Sequence, residues 1–237
     1  MDKKIAELSI FFPFWNEEKN IEKVVDSAIR VAKKSAQDWE IIMVDDGSSD
    51  DTLKIATSIA GKDSNLKVVA HKINRGYGAS LRSGFEAAKY NLVVFTDGDG
   101  QFDFSQVSRF FPKIKNSDIV IGYRQKRHDH PIRHILMNLL KIWDFVFFGF
   151  VFRDIDCGFK MFKKQALERI TPLRSEGAMI TTEILAKAKK EKLKISQVNV
   201  SHYPRIYGDQ SGGNLRVILR AIKESFILWK DLNYGRS

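Results

Sequence analysis

Two aspartates in this sequence are spaced for metal chemistry: Asp97 and Asp99 stand two residues apart, directly after an apolar run at residues 92–95. Such a run is typical of a buried strand, and Gly98 and Gly100 allow the chain to turn after it and to approach a ligand closely. In near-extended backbone, side chains at this spacing can point to one side. Carboxylate oxygens are the ligands that Mg²⁺ or Mn²⁺ needs when it must also hold phosphate oxygens. The spacing therefore predicts a divalent-metal site; the alternative is a surface turn, since Asp-Gly pairs are common turn formers.

The elements that would position these carboxylates alternate between strand and helix through the first half of the chain. Apolar runs of strand length lie at residues 8–12, 39–44, 66–70, 92–95 and 118–121. Helical spacing is present in residues 17–34, from 51, after 78 and near 104–114. This alternation predicts an α/β fold in which a mostly parallel sheet has helices on both faces.

Further polar residues follow the first two predicted strands. Asn16 and Glu17 come after the first strand, and Asp45 and Asp46 come after the second. In a parallel sheet ligands bind beyond the carboxyl ends of the strands, so we expect these residues to share a crevice with the aspartate pair. A carboxylate there could accept hydrogen bonds from a nucleobase or a ribose hydroxyl. Helix capping is the alternative for Asn16 and Asp50, but it does not explain Asp45 and Asp46 together.

A glycine-rich stretch, Asn74-x-Gly76-x-Gly78, precedes one predicted helix and is similar to a phosphate cradle. It matches neither of the two common phosphate-binding patterns. The dinucleotide pattern needs a glycine where this chain has Leu81, and no Gly-Lys-Ser/Thr follows for a P-loop. The stretch alone therefore does not identify a phosphate site.

Composition narrows the class of protein. The chain has 237 residues with 39 basic and 29 acidic side chains, which gives a formal net charge of +10. This charge favours an anionic partner: a membrane surface, a phosphorylated substrate or nucleic acid. No nucleic-acid-binding pattern is present, so nucleic acid is not expected. The single cysteine, Cys157, excludes an internal disulfide, and neither a signal peptide nor a transmembrane helix is expected.

Five motifs occur in a fixed order: P-F-W-N-E-E-K-N-I (13–21), V-D-D-G-S-S-D-D-T (44–52), N-R-G-Y-G-A (74–79), D-G-D-G-Q-F-D (97–103) and D-C-G-F-K-M-F (156–162). With these motifs the chain resembles family 2 glycosyltransferases over about residues 8–211. Within that family it is similar to dolichyl-phosphate mannose synthase and the polyprenyl-phosphate sugar transferases. The resemblance implies a GT-A fold, a nucleotide-sugar donor, Mg²⁺ or Mn²⁺, and inversion at the anomeric carbon.

The resemblance also implies roles for individual residues. Asp97, Asp99 and Gln101 would hold the metal and the donor diphosphate. Arg124, Arg133 and Arg205 would bind the acceptor phosphate, because a guanidinium pairs with phosphate oxygens through two hydrogen bonds. The donor pocket would include Pro13, Trp15, Glu17, Val44, Asp46 and Gly76, while Lys160 and Glu183 would lie on the acceptor or sugar side.

Alternatives stay open for the basic and acidic residues around the acceptor. Most charged side chains in such runs lie on solvated surface. For Asp154 and Glu183 an ion pair or a cap is the alternative, and for Asp154 we favour it. Met137 replaces the small hydroxyl residue that the family has one helical turn beyond the Arg133 position.

Two segments have the composition of membrane-facing or buried helices. Residues 131–152 are rich in aromatic residues, and residues 213–237 combine apolar and basic side chains. Each is either a core helix or an interfacial helix with flanking basic residues. We expect a GT-A catalytic domain at 1–212, including segment 131–152, and an amphipathic C-terminal helix at 213–237. The chain would then be peripheral on the cytoplasmic face of a membrane, with a possible membrane partner subunit.

The leading hypothesis is an inverting transferase that moves a hexose, mannose or glucose, from a nucleotide-diphosphate sugar to dolichyl or polyprenyl phosphate. A family 2 enzyme with a saccharide hydroxyl as acceptor is the second hypothesis, and it would require a carboxylate base such as Asp156 or Glu183. A non-catalytic nucleotide-sugar or nucleic-acid binding protein is the third. Three converging arginines favour the first hypothesis, and the aspartate pair argues against the third.

Overall fold

The computed structural model describes residues 4–124, 147–207 and 215–234. Arg133 and Met137 lie outside the described residues. The same holds for residues 131–146 of the aromatic segment and for the glycine-rich residues 208–213.

A single seven-stranded sheet forms the centre of the molecule, in the order β3-β2-β1-β4-β6-β5-β7. The strands are β1 Ile5–Phe14, β2 Ala36–Asp45, β3 Leu66–Ala70, β4 Leu92–Thr96, β5 Ile119–Arg124, β6 Phe159–Lys163 and β7 Ile195–Val200. β1 pairs in parallel with β2 and β4, β2 with β3, and β5 with β7. The predicted mostly parallel sheet is therefore confirmed.

One strand runs against the others. β6 lies between β4 and β5 and is antiparallel to both. It begins at Phe159 and includes Lys160, directly after Gly158. The chain therefore returns to the middle of the sheet directly after residues 155–158.

Helices cover both faces of the sheet, as predicted. The helices are α1 Ile21–Ser35, α2 Thr52–Ala60, α3 Tyr77–Ala87, α4 Phe111–Ile114, α5 Lys164–Ile170, α6 Ile180–Lys190 and α7 Leu215–Tyr234, with a 3₁₀ helix at Phe104–Arg109. Ile10 and Phe12 of β1 pack into one core with α1 and α2. Phe11 between them packs into a second core with α3, α5 and α6. Alternate residues of a strand point to opposite faces, so one strand serves both cores.

Local bounds differ from the prediction at the start of the chain. β1 continues through Pro13 to Phe14, because Pro13 pairs in register with Val44 of β2. Asn16 then takes a φ of 55° and does not cap a helix; α1 begins at Ile21.

The last helix, α7, packs beside α6 and contributes the buried Leu228 to the second core. Phe226 and Ile227 on the same helix are exposed. Within the described ranges, no helix combines the length and the apolar character that crossing a membrane requires.

Candidate functional site

Asp97 and Asp99 leave the carboxyl end of β4 and enter a largely enclosed position. Asp97 Oδ1 accepts a hydrogen bond from the hydroxyl of Tyr77 at 2.7 Å, and Asp99 Oδ1 accepts one from the backbone N–H of Gln101 at 3.0 Å. On its other side, Asp97 lies against Gly158, where an added Cβ would stand 2.0 Å from Oδ2. The first aspartate is thus fixed by α3 on one side and by the turn before β6 on the other.

The electrostatics of the pair suit a cation. Burial raises the pKa of Asp97, and burial together with the charge of Asp97 raises the pKa of Asp99 to about 7. Two like charges in a desolvated place disfavour each other's ionisation, and a dication between them would reverse that effect. The donor set of two carboxylates plus the Gln101 amide is hard and oxygen-rich, as Mg²⁺ and Mn²⁺ prefer. In the part of the chain that the structure describes, no cluster of three or more His, Cys, Asp or Glu side chains could hold a metal.

Arg205 joins this pair to the end of β1. Its Nη2 is bonded to Glu17 Oε1, and its Nη1 lies 3.6 Å from Asp99 Oδ2. Glu17 also accepts a hydrogen bond from Asn20 Nδ2 at 2.6 Å, yet burial still raises the pKa of Glu17. The Tyr203 N–H donates to the carbonyl of Gln101, and the Gln101 side-chain amide donates to the carbonyl of Tyr203, which brings the Arg205 segment to this place. Glu17 and Asp99 therefore share one crevice, as predicted, and Arg205 contacts both of them.

Asp45 and Asp46 have different partners at the end of β2. Asp46 holds His71 Nδ1 at 2.6 Å and the backbone N–H groups of Arg75 and Gly76 at 2.9 and 2.8 Å. Its carboxylate therefore fixes the loop before α3. Asp45 Oδ2 accepts a hydrogen bond from the N–H of Ser48 at 3.2 Å, while its Oδ1 is buried without a hydrogen-bond partner among the described residues. Asp45 is thus the better candidate of the two to accept a nucleobase N–H.

The other residues predicted for the donor pocket are spread around this edge. Trp15 has 47% of its surface exposed, and the next residue, Asn16, lines a cavity of about 160 Å³ together with Glu17, Asp50 and Tyr207. Pro13 is half-buried. The side chain of Val44 belongs to the core and has no exposed surface, so it does not line a cavity.

Arg124 and Lys160 are engaged with the protein itself. Arg124 donates from Nε and Nη2 to the two carboxylate oxygens of Asp154, at 2.7 and 2.9 Å. The favoured ion pair of Asp154 is therefore present, although it is buried and not on the surface. Lys160 has no exposed surface, and its ammonium donates to the carbonyls of Ile155 (3.0 Å) and Cys157, while burial lowers its pKa. The buried ammonium of Lys160 therefore fixes the turn that supports Asp97.

Glu183 lies on the predicted helix, and its buried carboxylate is bonded to the protein itself. Its carboxylate accepts the backbone N–H groups of Arg174 and Ser175 at 2.7–3.0 Å and pairs with Lys187 at 2.7 Å, and these bonds lower its pKa against the effect of burial. The carboxylate therefore holds residues 174–176 in place.

Residues 174–176 in turn cover the glycine-rich stretch before α3. Gly78 N–H donates to the carbonyl of Glu176 at 2.7 Å, and a Cβ at Gly78 would stand 2.3 Å from the carbonyl oxygen of Ser175. Gly76 has a φ of 97°, and a Cβ there would stand 2.6 Å from the Glu176 oxygen. Because Gly76 and Gly78 have no side chain, the loop can pack closely here. The Gly76 N–H donates to Asp46 and not to a phosphate.

Tyr77 and His71 make contacts at the site that sequence reasoning missed. Tyr77 lies inside the recognised N-R-G-Y-G motif, but no spacing rule links it to Asp97. Such contacts depend on which loops meet in space, and the sequence alone carried no signal for them.

This arrangement, a mostly parallel α/β sheet with a carboxylate pair at the end of a central strand, is that of GT-A glycosyltransferases. Residues 9–171 match the family model for glycosyl transferase family 2, and the chain belongs to this family.

Relatives and solved structures agree with this placement. The chain is 35% identical over 214 residues to a dolichyl-phosphate beta-glucosyltransferase of Dictyostelium discoideum, which covers 82% of this chain and 65% of that protein. It is 26% identical to an undecaprenyl-phosphate 4-deoxy-4-formamido-L-arabinose transferase of Proteus mirabilis, covering 91% and 66%. The chain thus spans just under two thirds of the length of these two relatives.

Among solved structures, glucosyl-3-phosphoglycerate synthase from Mycobacterium tuberculosis in complex with Mn²⁺, uridine diphosphate and phosphoglyceric acid superposes with a TM-score of 0.70 at 18% identity. The match covers 98% of this chain and 80% of that one. At this identity the likeness shows the fold.

Proposed function

We propose that this chain is an inverting hexosyltransferase that uses a nucleotide-diphosphate sugar and a dolichyl or polyprenyl phosphate acceptor. The observation that carries the proposal is the meeting of Asp97, Asp99, Glu17 and Arg205 at the carboxyl end of the sheet. Two carboxylates and a guanidinium in one enclosed place suit a metal and phosphate groups together. The names of several relatives favour glucose as the hexose.

The donor would lie along the ends of β1, β2 and β4. The buried Asp45 Oδ1 would accept an N–H from the base, with Trp15 exposed nearby for stacking. The diphosphate would lie beside Asp97, Asp99 and Gln101, which would hold Mg²⁺ or Mn²⁺. When bound, the metal would neutralise charge on the departing nucleoside diphosphate.

A phosphate acceptor fits the carboxylates better than a hydroxyl acceptor does. A phosphate monoester is largely ionised near pH 7, its second pKa being about 6, so it needs no strong general base. Glu183, a candidate base for a hydroxyl acceptor, is occupied by two backbone N–H groups and Lys187. Arg205 Nη1 lies 3.6 Å from Asp99 Oδ2, and its guanidinium could bind the incoming phosphate there. Arg124 would remain tied to Asp154 while it contributes positive charge.

The site of action would be a membrane surface, since the proposed acceptor is a lipid. The net charge of +10 and the exposed Phe226 and Ile227 support peripheral attachment. We place the chain on the cytoplasmic face, where nucleotide sugars are available to it, with a membrane partner subunit as a further possibility. Co-purification from detergent-solubilised membranes tests that partner.

A transfer assay tests the proposal. Purified protein, Mn²⁺ and undecaprenyl phosphate are incubated with radiolabelled UDP-glucose or GDP-mannose, and label extracted into organic solvent is counted. We expect lipid-linked sugar from one donor, and a loss of about 10²–10³-fold in turnover for Asp99→Asn, because charge on the leaving group is no longer neutralised.

Two controls make the assay decisive. Asp38→Asn changes an exposed carboxylate and should retain full turnover. Undecaprenol, which lacks the phosphate, should accept no sugar. Transfer to undecaprenol, or full turnover by Asp99→Asn, would contradict the proposed acceptor or the proposed metal site respectively.

A further inference from the structure

Tyr77 is the one side chain in the described structure that donates a hydrogen bond to Asp97. The distance from its hydroxyl to Asp97 Oδ1 is 2.7 Å, and Tyr77 opens α3, on the far side of the aspartate from Gly158. The Asp97 carboxylate therefore contacts both the Tyr77 hydroxyl and the backbone at Gly158.

The position of Tyr77 is itself fixed from two directions. Asp46 binds the N–H groups of Arg75 and Gly76 immediately before it. Residues 175 and 176 cover the first turn of α3: Gly78 N–H donates to Glu176 and Arg82 donates to the carbonyl of Ser175 at 2.5 Å. A side chain anchored on both flanks can hold its hydroxyl at one place, which a tyrosine on a free loop could not.

We infer that Tyr77 is a positioning residue that orients Asp97 for the divalent metal. The inference rests on the proposed function, because it takes Asp97 as a metal ligand. Groups that hydrogen-bond to a ligating side chain fix its orientation, and their loss weakens metal affinity by about 10–100-fold. With Oδ1 turned toward Tyr77, the rotation of the Asp97 carboxylate is set before the metal arrives.

The competing explanation is that the hydroxyl merely satisfies a buried carboxylate and affects stability alone. The two explanations differ in their response to metal. A positioning role predicts weaker metal binding that excess metal overcomes, whereas a purely structural role predicts unchanged metal affinity in the folded variant.

The test is Tyr77→Phe, which removes one oxygen and keeps the ring. Electron paramagnetic resonance of free Mn²⁺ gives the dissociation constant with UDP or GDP present, and activity is titrated against Mn²⁺. We expect about tenfold weaker Mn²⁺ binding, a matching rise in the Mn²⁺ concentration for half-maximal turnover, and kcat restored at saturating Mn²⁺. Tyr234→Phe removes the same atom from an exposed ring of α7 and should bind Mn²⁺ as the wild type does.

Each outcome tests a different part of this inference. Thermal unfolding of Tyr77→Phe confirms that the variant is folded at the assay temperature. Unchanged Mn²⁺ affinity in that folded variant overturns the role of Tyr77 and leaves the proposed function intact. Failure of the wild type to bind Mn²⁺ with either nucleotide overturns the metal assignment and, with it, this inference.

Discussion

Asp99 is held where its own charge is disfavoured. Its side chain is only 15% exposed, and its pKa is raised to about 7 by burial and by the charge of Asp97. An unfolded aspartate has a pKa of about 3.9, so between pH 4 and 7 the folded chain keeps a proton that the unfolded chain releases. Stability from this group is complete below pH 4 and is lost as the pH rises to 7. The site would therefore lose stability at neutral pH while gaining the ability to bind a cation.

Replacing this carboxylate should stabilise the metal-free protein at neutral pH. In EDTA at pH 8, Asp99→Asn should raise the Tm by at least about 2 °C, the shift that ~1 kcal/mol gives in a chain of this size. The advantage should shrink as the pH falls and be small near pH 4, where folded Asp99 is protonated and the unfolded side chain is about half protonated. Thermal unfolding of both proteins from pH 4 to 8 measures the difference.

The matched control for this series is Asp38→Asn, an exposed carboxylate on β2. Its Tm difference from the wild type should stay flat over the same pH range. A flat difference for Asp99→Asn as well would show that the Asp99 carboxylate is not desolvated in the folded protein.

Residue types and spacing predicted the Asp97–Asp99 pair and its proximity to Glu17, because strand ends in a parallel sheet share one edge. They did not predict the partner of each side chain. Lys160 was expected on the acceptor or sugar side, yet it is buried and its ammonium donates to two backbone carbonyls. Asp46 was expected to meet the donor, but its oxygens bind His71 and the loop before α3. Such partners come from contacts distant in sequence, on which local patterns carry no information.

At the scale of elements, the antiparallel β6 is what completes the site. It inserts between β4 and β5, and the turn that leads into it presses Gly158 against Asp97. The alternating strands and helices of the first half were predictable from periodicity alone. β6 was not predictable in this way, because a strand of only five residues directly after a turn is too short to show a clear periodicity. Its place in the sheet is set by pairing with residues about 40 and 65 positions earlier.

A methyl group at Gly158 should therefore damage the site through sterics. In Gly158→Ala the added Cβ would stand 2.0 Å from Asp97 Oδ2, so either the carboxylate or the turn must move. We expect a loss of about 1–3 kcal/mol in the free energy of unfolding, as for other overpacked positions, and Mn²⁺ binding at least tenfold weaker. Urea unfolding and Mn²⁺ paramagnetic resonance measure the two effects.

Gly61→Ala is the control for this change, since the nearest atom to its added Cβ is 3.6 Å away. It should alter the free energy of unfolding by less than about 1 kcal/mol, because the fit is unstrained. Normal Mn²⁺ affinity in Gly158→Ala would mean that Asp97 can bind the metal from another orientation.

For the whole molecule, net charge and one exposed helix face bear on how the chain would meet a membrane surface. A charge of +10 attracts the chain to an anionic surface within a Debye length of about 10 Å at 0.1 M salt. Phe226 and Ile227 of α7 add apolar area that can enter the interface, while Leu228 beside them anchors the helix to the second core. Charge would bring the protein to the membrane, and the apolar face would hold it there.

Co-sedimentation with vesicles separates these two contributions. Binding should be stronger to vesicles of phosphatidylglycerol and phosphatidylcholine than to phosphatidylcholine alone, and it should weaken as salt rises from 0.05 to 0.5 M. Phe226→Ser with Ile227→Ser should lower the partition coefficient about tenfold, because less apolar area leaves water. Leu53→Ser changes a partly exposed leucine of α2 and should leave binding unchanged. Equal binding to both vesicle types would exclude charge as the attraction, and full binding by the double variant would move the contact surface away from α7.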